Sequence, residues 1–183
     1  MNSANVTFFL GGARSGKSRL AQALAESLAD SRAAAPVYLA TGQAFDAEMT
    51  DRIARHRADR GPRWRTVDCP LDLPEAIGRE AVVGNVVLVD CLTLWGSNLL
   101  LADTDTVTAG EALLAALTAA ACPVILVSDE VGLGIVPDNE LARRFRDEVG
   151  RLHQSVAALA DTVYFVAAGL SLSLKNSPAT PLR

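Results

Sequence analysis

The chain has 183 residues, 50% of them apolar and 21% charged, with a formal net charge of −4. A domain of this size buries a core without needing disulfides, and the mildly acidic balance argues against a nucleic-acid binder, which carries a strongly basic one. The three cysteines, Cys69, Cys91 and Cys122, are odd in number, far apart and outside any CxxC pair, which argues against disulfides and structural zinc and for a reducing, cytoplasmic setting.

Val6–Leu10 is a short apolar run with no basic residue before it, so it reads as a buried strand and not as a secretory leader. It opens into Gly11, Gly12, Ala13, Arg14, Ser15, Gly16, Lys17 and Ser18, which satisfy G-x-x-x-x-G-K-[ST] at each required position. Glycines let the backbone curl until successive N–H groups converge on a phosphate. The helix that starts near Lys17 aims its positive end at the same point. Lys17 is expected to reach the β- and γ-phosphates of a nucleoside triphosphate, and the Ser18 hydroxyl to ligate Mg²⁺. Leu20, Leu24 and Leu28 supply the apolar stripe of that helix.

A second strand, Val37–Ala40, leads into FDAEMTDRIARHRADRG, which reads as a helix from about Phe45 to Arg60. Phe45, Met49 and Ile53 form its apolar stripe, and His56 follows three residues later, beside that stripe. Arg52, His56 and Arg60 recur at four-residue steps as a cationic ridge. Flanking arginines disfavour the charged imidazole and keep it nucleophilic near neutral pH. Facing a nucleotide, it could attack phosphorus and form a phosphoramidate. A surface histidine paired with Asp51 or Asp59 would give the same spacing, and the spacing alone does not choose. Residues 59–74, rich in Pro, Arg and Asp, read as a long loop.

Val86–Val89 is an apolar strand that ends in Asp90, the pattern in which a carboxylate holds Mg²⁺; a strand-end cap is the alternative. The apolar stretch Leu113–Val127 is interrupted by Pro123 and is shorter than the roughly 18 to 20 residues of a membrane span. Val124–Val127 and Val163–Ala167 are further strands. Leu141, Phe145, Val149 and Leu152 mark a helix, and residues 176–183 read as a loose tail. Glu130 either positions an attacking group or a metal, or caps the turn at Gly132. Trp64 and Trp95 read as packing residues rather than ligand stacks. Strands without alternation, separated by helices, define an α/β protein: a P-loop NTPase-like three-layer sandwich with a mainly parallel central sheet. The whole chain, 1–183, reads as a single nucleotide-binding domain. No N-K-x-D, H-R-D or D-F-G stretch is present, which argues against a switch GTPase and a protein kinase.

Four collinear stretches, GGARSGKS, VYLATGQAFDAEMTDRIARHR, LVDCLTLWGSNLL and DEVGLGIVPDNELARRFRDEVGRLHQ, closely resemble the bifunctional adenosylcobinamide kinase / adenosylcobinamide-phosphate guanylyltransferase family of cobalamin biosynthesis, from about Phe8 to Lys175. The resemblance implies phosphorylation of adenosylcobinamide by ATP or GTP. It further implies transfer of GMP from GTP, through a guanylylated His56, to give adenosylcobinamide-GDP. Arg52 and Arg60 would neutralise charge on the α-phosphate. It puts the loop from Gly11 to Ser18 on the nucleotide, with Thr41, Gly42, Gln43, Arg60, Asp68 and Asp90, and Mg²⁺ on Ser18 and Asp90. Relatives often carry Glu at the positions of Asp68 and Asp90, and Asn at those of Asp129 and His153. His153 is expected to be structural or solvent-facing. A homo-oligomer, a trimer, is implied, with the corrinoid in an intersubunit cleft; no nucleic acid or membrane span is expected. Two other readings fit the phosphate loop: a small-molecule kinase without a covalent intermediate, and a nucleotide-gated corrinoid-binding module.

Overall fold

A computed structural model describes residues 5–44, 51, 54, 58 and 60–175. The elements run β1 (Val6–Gly11), α1 (Lys17–Arg32), β2 (Ala35–Ala40), β3 (Arg65–Asp68), α2 (Leu73–Glu80), β4 (Asn85–Asp90), α3 (Leu92–Leu101), α4 (Thr106–Ala119), β5 (Val124–Asp129), α5 (Glu140–Leu159), β6 (Thr162–Ala167) and β7 (Leu170–Lys175). Asp51, Ala54, Ala58 and Arg60 are helical as well. The seven strands form one sheet in the order β3-β2-β4-β5-β1-β6-β7. The first six are parallel, and β7 returns antiparallel to β6.

Period-two alternation divides the core into two layers, because successive residues of a strand face opposite sides. Phe8, Val37, Leu39, Val87, Val89 and Leu126 face one side with Ile77 of α2, Trp95 of α3, Leu113 of α4 and Val156 of α5. Phe9, Tyr38, Leu88, Ile125 and Val127 face the other side with α1. The expected three-layer α/β sandwich is what forms, with both faces of the parallel sheet covered.

The sheet-facing row of α1 differs from the leucine stripe. Ala21, Ala25 and Ala29 are fully buried, while Leu20, Leu24 and Leu28 are partly buried at their flanks. Methyl side chains let the helix backbone lie close on the strands, and the leucines fill the grooves on either side. The expected loop over 59–74 contains β3 and the first two residues of α2. Edge strand β3 reads Arg-Thr-Val-Asp and is partly exposed, so no apolar run marks it. Strand β7 alternates Leu and Ser with all six residues exposed, and it follows a tight turn at Ala168 and Gly169, both at positive φ. Pro123 separates the end of α4 from the start of β5. No helix among the described residues is long and apolar enough to cross a membrane.

The close seat of α1 is testable. Ala25→Leu should destabilise the chain by about 1–3 kcal/mol through overpacking, seen as a lower urea midpoint at unchanged slope. An unchanged midpoint would mean that the helix does not lie as tightly on the sheet as described.

Candidate active site

Strand β1 delivers the phosphate loop to the carboxyl edge of the sheet, where ligands of open α/β sheets gather. At Gly11 a Cβ would lie 2.3 Å from the Val166 carbonyl oxygen on neighbouring β6, so only glycine fits. Gly16 takes φ 97°, and a Cβ there would stand 3.2 Å from Gly169 Cα. The Ser15 N–H donates to Gly12 O at 3.2 Å, and the Gly169 N–H donates to Ser15 O at 2.8 Å. The β6–β7 turn therefore braces the loop from behind. Gly12, Ala13 and Arg14 form its exposed rim, and Ser18 is half-buried at the start of α1.

Lys17 is 6% exposed, an unusual place for an ammonium. Its Nζ donates to Gly12 O at 3.2 Å and makes an ion pair with the Asp129 carboxylate. Asp129 ends β5 in register with Gly11. The Asp129 N–H donates to Thr93 Oγ1 at 2.6 Å; Thr93 Oγ1 is hydrogen-bonded to Ser128 Oγ at 2.8 Å, and Ser128 Oγ to His153 Nε2 at 2.7 Å. Asp129 and His153 are thus joined by one buried chain. His153 is buried, as a structural residue should be, and burial pushes its imidazole down to about 4.

Ser18 and Asp90 line one cavity of about 430 Å³ together with Tyr38, Arg60, Gln22 and Glu26. Tyr38 stands beside Asp90 in this cavity, and burial followed by the charge of Asp90 raises its phenol far above the ordinary value. The Arg60 guanidinium stacks 3.5 Å from the centre of the Tyr38 ring. Two polar atoms, Arg60 Nε and Ser15 Oγ, are buried without a hydrogen-bond partner among the described residues. Groups of this kind point to a ligand that supplies the missing acceptor or donor.

The remaining expected positions separate. Thr41 is fully buried, and its hydroxyl is spent on the protein: it donates to Cys91 O and accepts from Cys91 N–H, both at 2.8 Å. Asn98 Nδ2 donates to Thr41 O at 2.7 Å. Thr41 therefore ties the ends of β2 and β4 together instead of offering its side chain to a nucleotide. Gly42 and Gln43 follow it, half-buried, past the same edge. Asp68 ends β3, four strands from β1 and so roughly 19 Å from the loop at normal strand spacing, beyond the phosphate cradle. His56 and Arg52 lie outside the described residues.

Glu130 accepts the N–H groups of Gly132 and Leu133 at 2.7 and 3.0 Å, which is the turn cap. Trp95 donates to Leu71 O at 2.9 Å from within the core, and Trp64 donates to Glu26 Oε1 at 3.0 Å. Cys69, Cys91 and Cys122 are free and buried. Desolvation pushes the thiols of Cys69 and Cys91 up to about 12 and that of Cys122 to about 11, so they stay protonated. Sequence reasoning missed Tyr38 and the partnership of Lys17 with Asp129. No motif marks either one, although β alternation places Tyr38 on the α1 side of its strand.

A curled, glycine-dependent loop between a buried parallel strand and a helix, with a buried lysine at its centre, defines a P-loop nucleotide-binding protein. The chain belongs to the cobinamide kinase / cobinamide phosphate guanyltransferase family, whose family model matches residues 7–174. It is 52% identical over 171 residues to the bifunctional adenosylcobalamin biosynthesis protein CobP of Pseudomonas aeruginosa, covering 92% of this chain and 96% of that one. It is 41% identical over 180 residues to the bifunctional adenosylcobalamin biosynthesis protein CobU of Escherichia coli, and 39% identical over 180 residues to that of Salmonella typhimurium. Each of those two alignments covers 90% of this chain and 97% of the relative.

His153 has a signature in pH. The unfolded imidazole takes up a proton as pH falls through about 6.5, whereas the folded one resists until about 4. Its contribution to stability is therefore complete above pH 6.5 and is lost between about 6.5 and 4, a drop of about 3 kcal/mol from this group. In His153→Gln that component should vanish from urea titrations run across the window. A slope identical to that of the parent would show that the imidazole titrates normally in the fold.

Proposed function

We propose that one nucleotide site on this single domain serves both activities of the family, cobinamide kinase and cobinamide phosphate guanyltransferase. The supporting observation is the cavity that joins Ser18 and Asp90 to Arg60. Arg60 follows His56 by four residues, so the cavity connects the phosphate loop with the end of the segment that carries the candidate nucleophile. Loop amides and Lys17 bind the β- and γ-phosphates of ATP or GTP. Ser18 and Asp90 are hard oxygen donors on one wall, a set that fits Mg²⁺ when phosphate oxygens and water complete the shell. Bound there, Mg²⁺ would neutralise charge developing on the phosphates.

In the kinase step the hydroxyl of adenosylcobinamide attacks the γ-phosphorus, the bond to the β,γ-bridging oxygen breaks, and a nucleoside diphosphate leaves. Lys17 and the loop hold the phosphoryl group in line for that displacement. In the second step an imidazole nitrogen of His56 attacks the α-phosphorus of GTP and pyrophosphate leaves. The phosphate of adenosylcobinamide phosphate then takes the guanylyl group and frees the imidazole. Arg60, held by the Tyr38 ring and with Nε lacking a hydrogen-bond partner among the described residues, is placed to receive the α-phosphate charge. Gly42 and Gln43 approach the nucleotide from the same sheet edge, and Asp68, beyond the cradle, serves the far end of the GTP. Exposed Leu170, Leu172 and Leu174 on edge strand β7 support self-association, the trimer implied by the resemblance.

The test uses GTP labelled at the α-phosphate, followed by denaturation. Label should stay on the protein, resist base and be released by acid, and His56→Ala should abolish it while the kinase step continues. A labelled His56→Ala protein would move the adduct to another residue, and an unlabelled parent under turnover would leave a kinase without a covalent intermediate. Lys17→Ala should lower both activities by roughly a hundredfold or more, the scale on which lost phosphate positioning acts.

A further inference from the structure

We propose that Asp129 makes this site discriminate between triphosphate and diphosphate, because it holds Lys17 until a γ-phosphate takes its place. The inference rests on the reading of Gly11–Ser18 as the nucleotide loop. Strand β5 lies between β1 and β4, so Asp129 stands between the phosphate loop and Asp90 at the same edge of the sheet. The Lys17 side chain is 8% exposed and its ammonium is shared between Gly12 O and the Asp129 carboxylate, which is 31% exposed. In the nucleotide-free protein the charge of the lysine is therefore already compensated.

The carboxylate is fixed at its root. The backbone N–H of Asp129 is tied to Thr93 Oγ1, and Thr93, Ser128 and His153 form a buried chain behind it. A ligand cannot push Asp129 away as part of a loose loop; only its side chain can turn. Neighbouring Glu130 offers Lys17 no substitute, since its carboxylate is engaged by Gly132 and Leu133 N–H groups.

A lysine in this position spans the β- and γ-phosphates. A terminal β-phosphate can accept Lys17 from the loop side while Asp129 keeps its contact. A γ-phosphate extends past the lysine toward the carboxylate, and two anions then compete for one ammonium, with like charges close together in a partly buried site. Asp129 thus lowers affinity for the triphosphate more than for the diphosphate. Once the γ-phosphoryl group has left, the carboxylate recovers Lys17 and the remaining nucleotide loses a share of its hold.

Calorimetric titration of the whole chain with a β,γ-imido analogue of GTP and with GDP, each with Mg²⁺ and with EDTA, tests this. Asp129→Asn keeps the shape and removes the charge. It should bind the triphosphate analogue roughly five- to fiftyfold more tightly, the scale of one close charge contact, while GDP changes by no more than about twofold. Asp129→Ser is the second variant should the amide fail to fold, with the same direction expected. Triphosphate affinity that stays level or falls, or an equal gain for both nucleotides, overturns the proposal. Lys17→Ala separates the two levels. If it leaves both nucleotides bound as before, the loop itself is not the site. If it abolishes binding while the Asp129 variants leave the ratio unchanged, only the role of Asp129 is lost.

Discussion

A buried ammonium at the carboxyl edge of a parallel sheet governs the rest of this structure. Placing Lys17 out of water is costly unless it has partners, and the fold supplies two, a loop carbonyl and a carboxylate from the adjacent strand. Both partners depend on long-range register. Gly12 is in place because Gly11 lies so close to β6 that no side chain fits, and Asp129 is in place because β5 pairs with β1 residue for residue. The same arrangement that neutralises the lysine leaves it exchangeable. An anion that offers more charge and more acceptor oxygens than a single carboxylate can replace Asp129, and a polyphosphate is such an anion.

Around this centre the molecule divides its labour by strand. On the proposed reading, strands β1 and β5 handle the end of the polyphosphate, through the loop, Lys17 and Asp129. Strands β2 and β4 handle the neighbouring cavity, through Tyr38 and Asp90. Tyr38 links the two groups physically: it lines the cavity with Asp90, and its ring carries the Arg60 guanidinium. The face covered by α2 to α5 contributes apolar packing and the buried hydroxyl chain behind Asp129, and among the described residues none of its groups lines the cavity. A bifunctional family fits such a layout, since two reactions on one nucleotide need different phosphorus atoms presented to different partners without rebuilding the site.

Much of this was legible in the residues, for physical reasons that differ from element to element. The phosphate loop reads directly because its geometry needs glycine at fixed steps, and the parallel strands read because burial on both faces requires unbroken apolar runs. Asp90 reads as a strand-end carboxylate. Strand β3 and strand β7 do not read, because a charged edge strand and an exposed Leu–Ser alternation carry no core signal. Leucines seemed the natural inward row of α1, yet the close approach to the sheet selected the alanines between them. Thr41 has the residue type of a ligand contact, but its hydroxyl closes a backbone pair between strands fifty residues apart, which only the fold reveals. The pairing of Lys17 with Asp129 spans 112 residues and depends on strand order, which no local pattern encodes.

A crystal structure of the chain with GTP and Mg²⁺ is the most direct measurement. The β- and γ-phosphates are expected on the amides of residues 11–18, with Lys17 Nζ within hydrogen-bond distance of them and released from the Asp129 carboxylate. Nucleotide bound elsewhere, with Lys17 still paired to Asp129, would contradict the assignment of the site and with it both reactions ascribed to the chain.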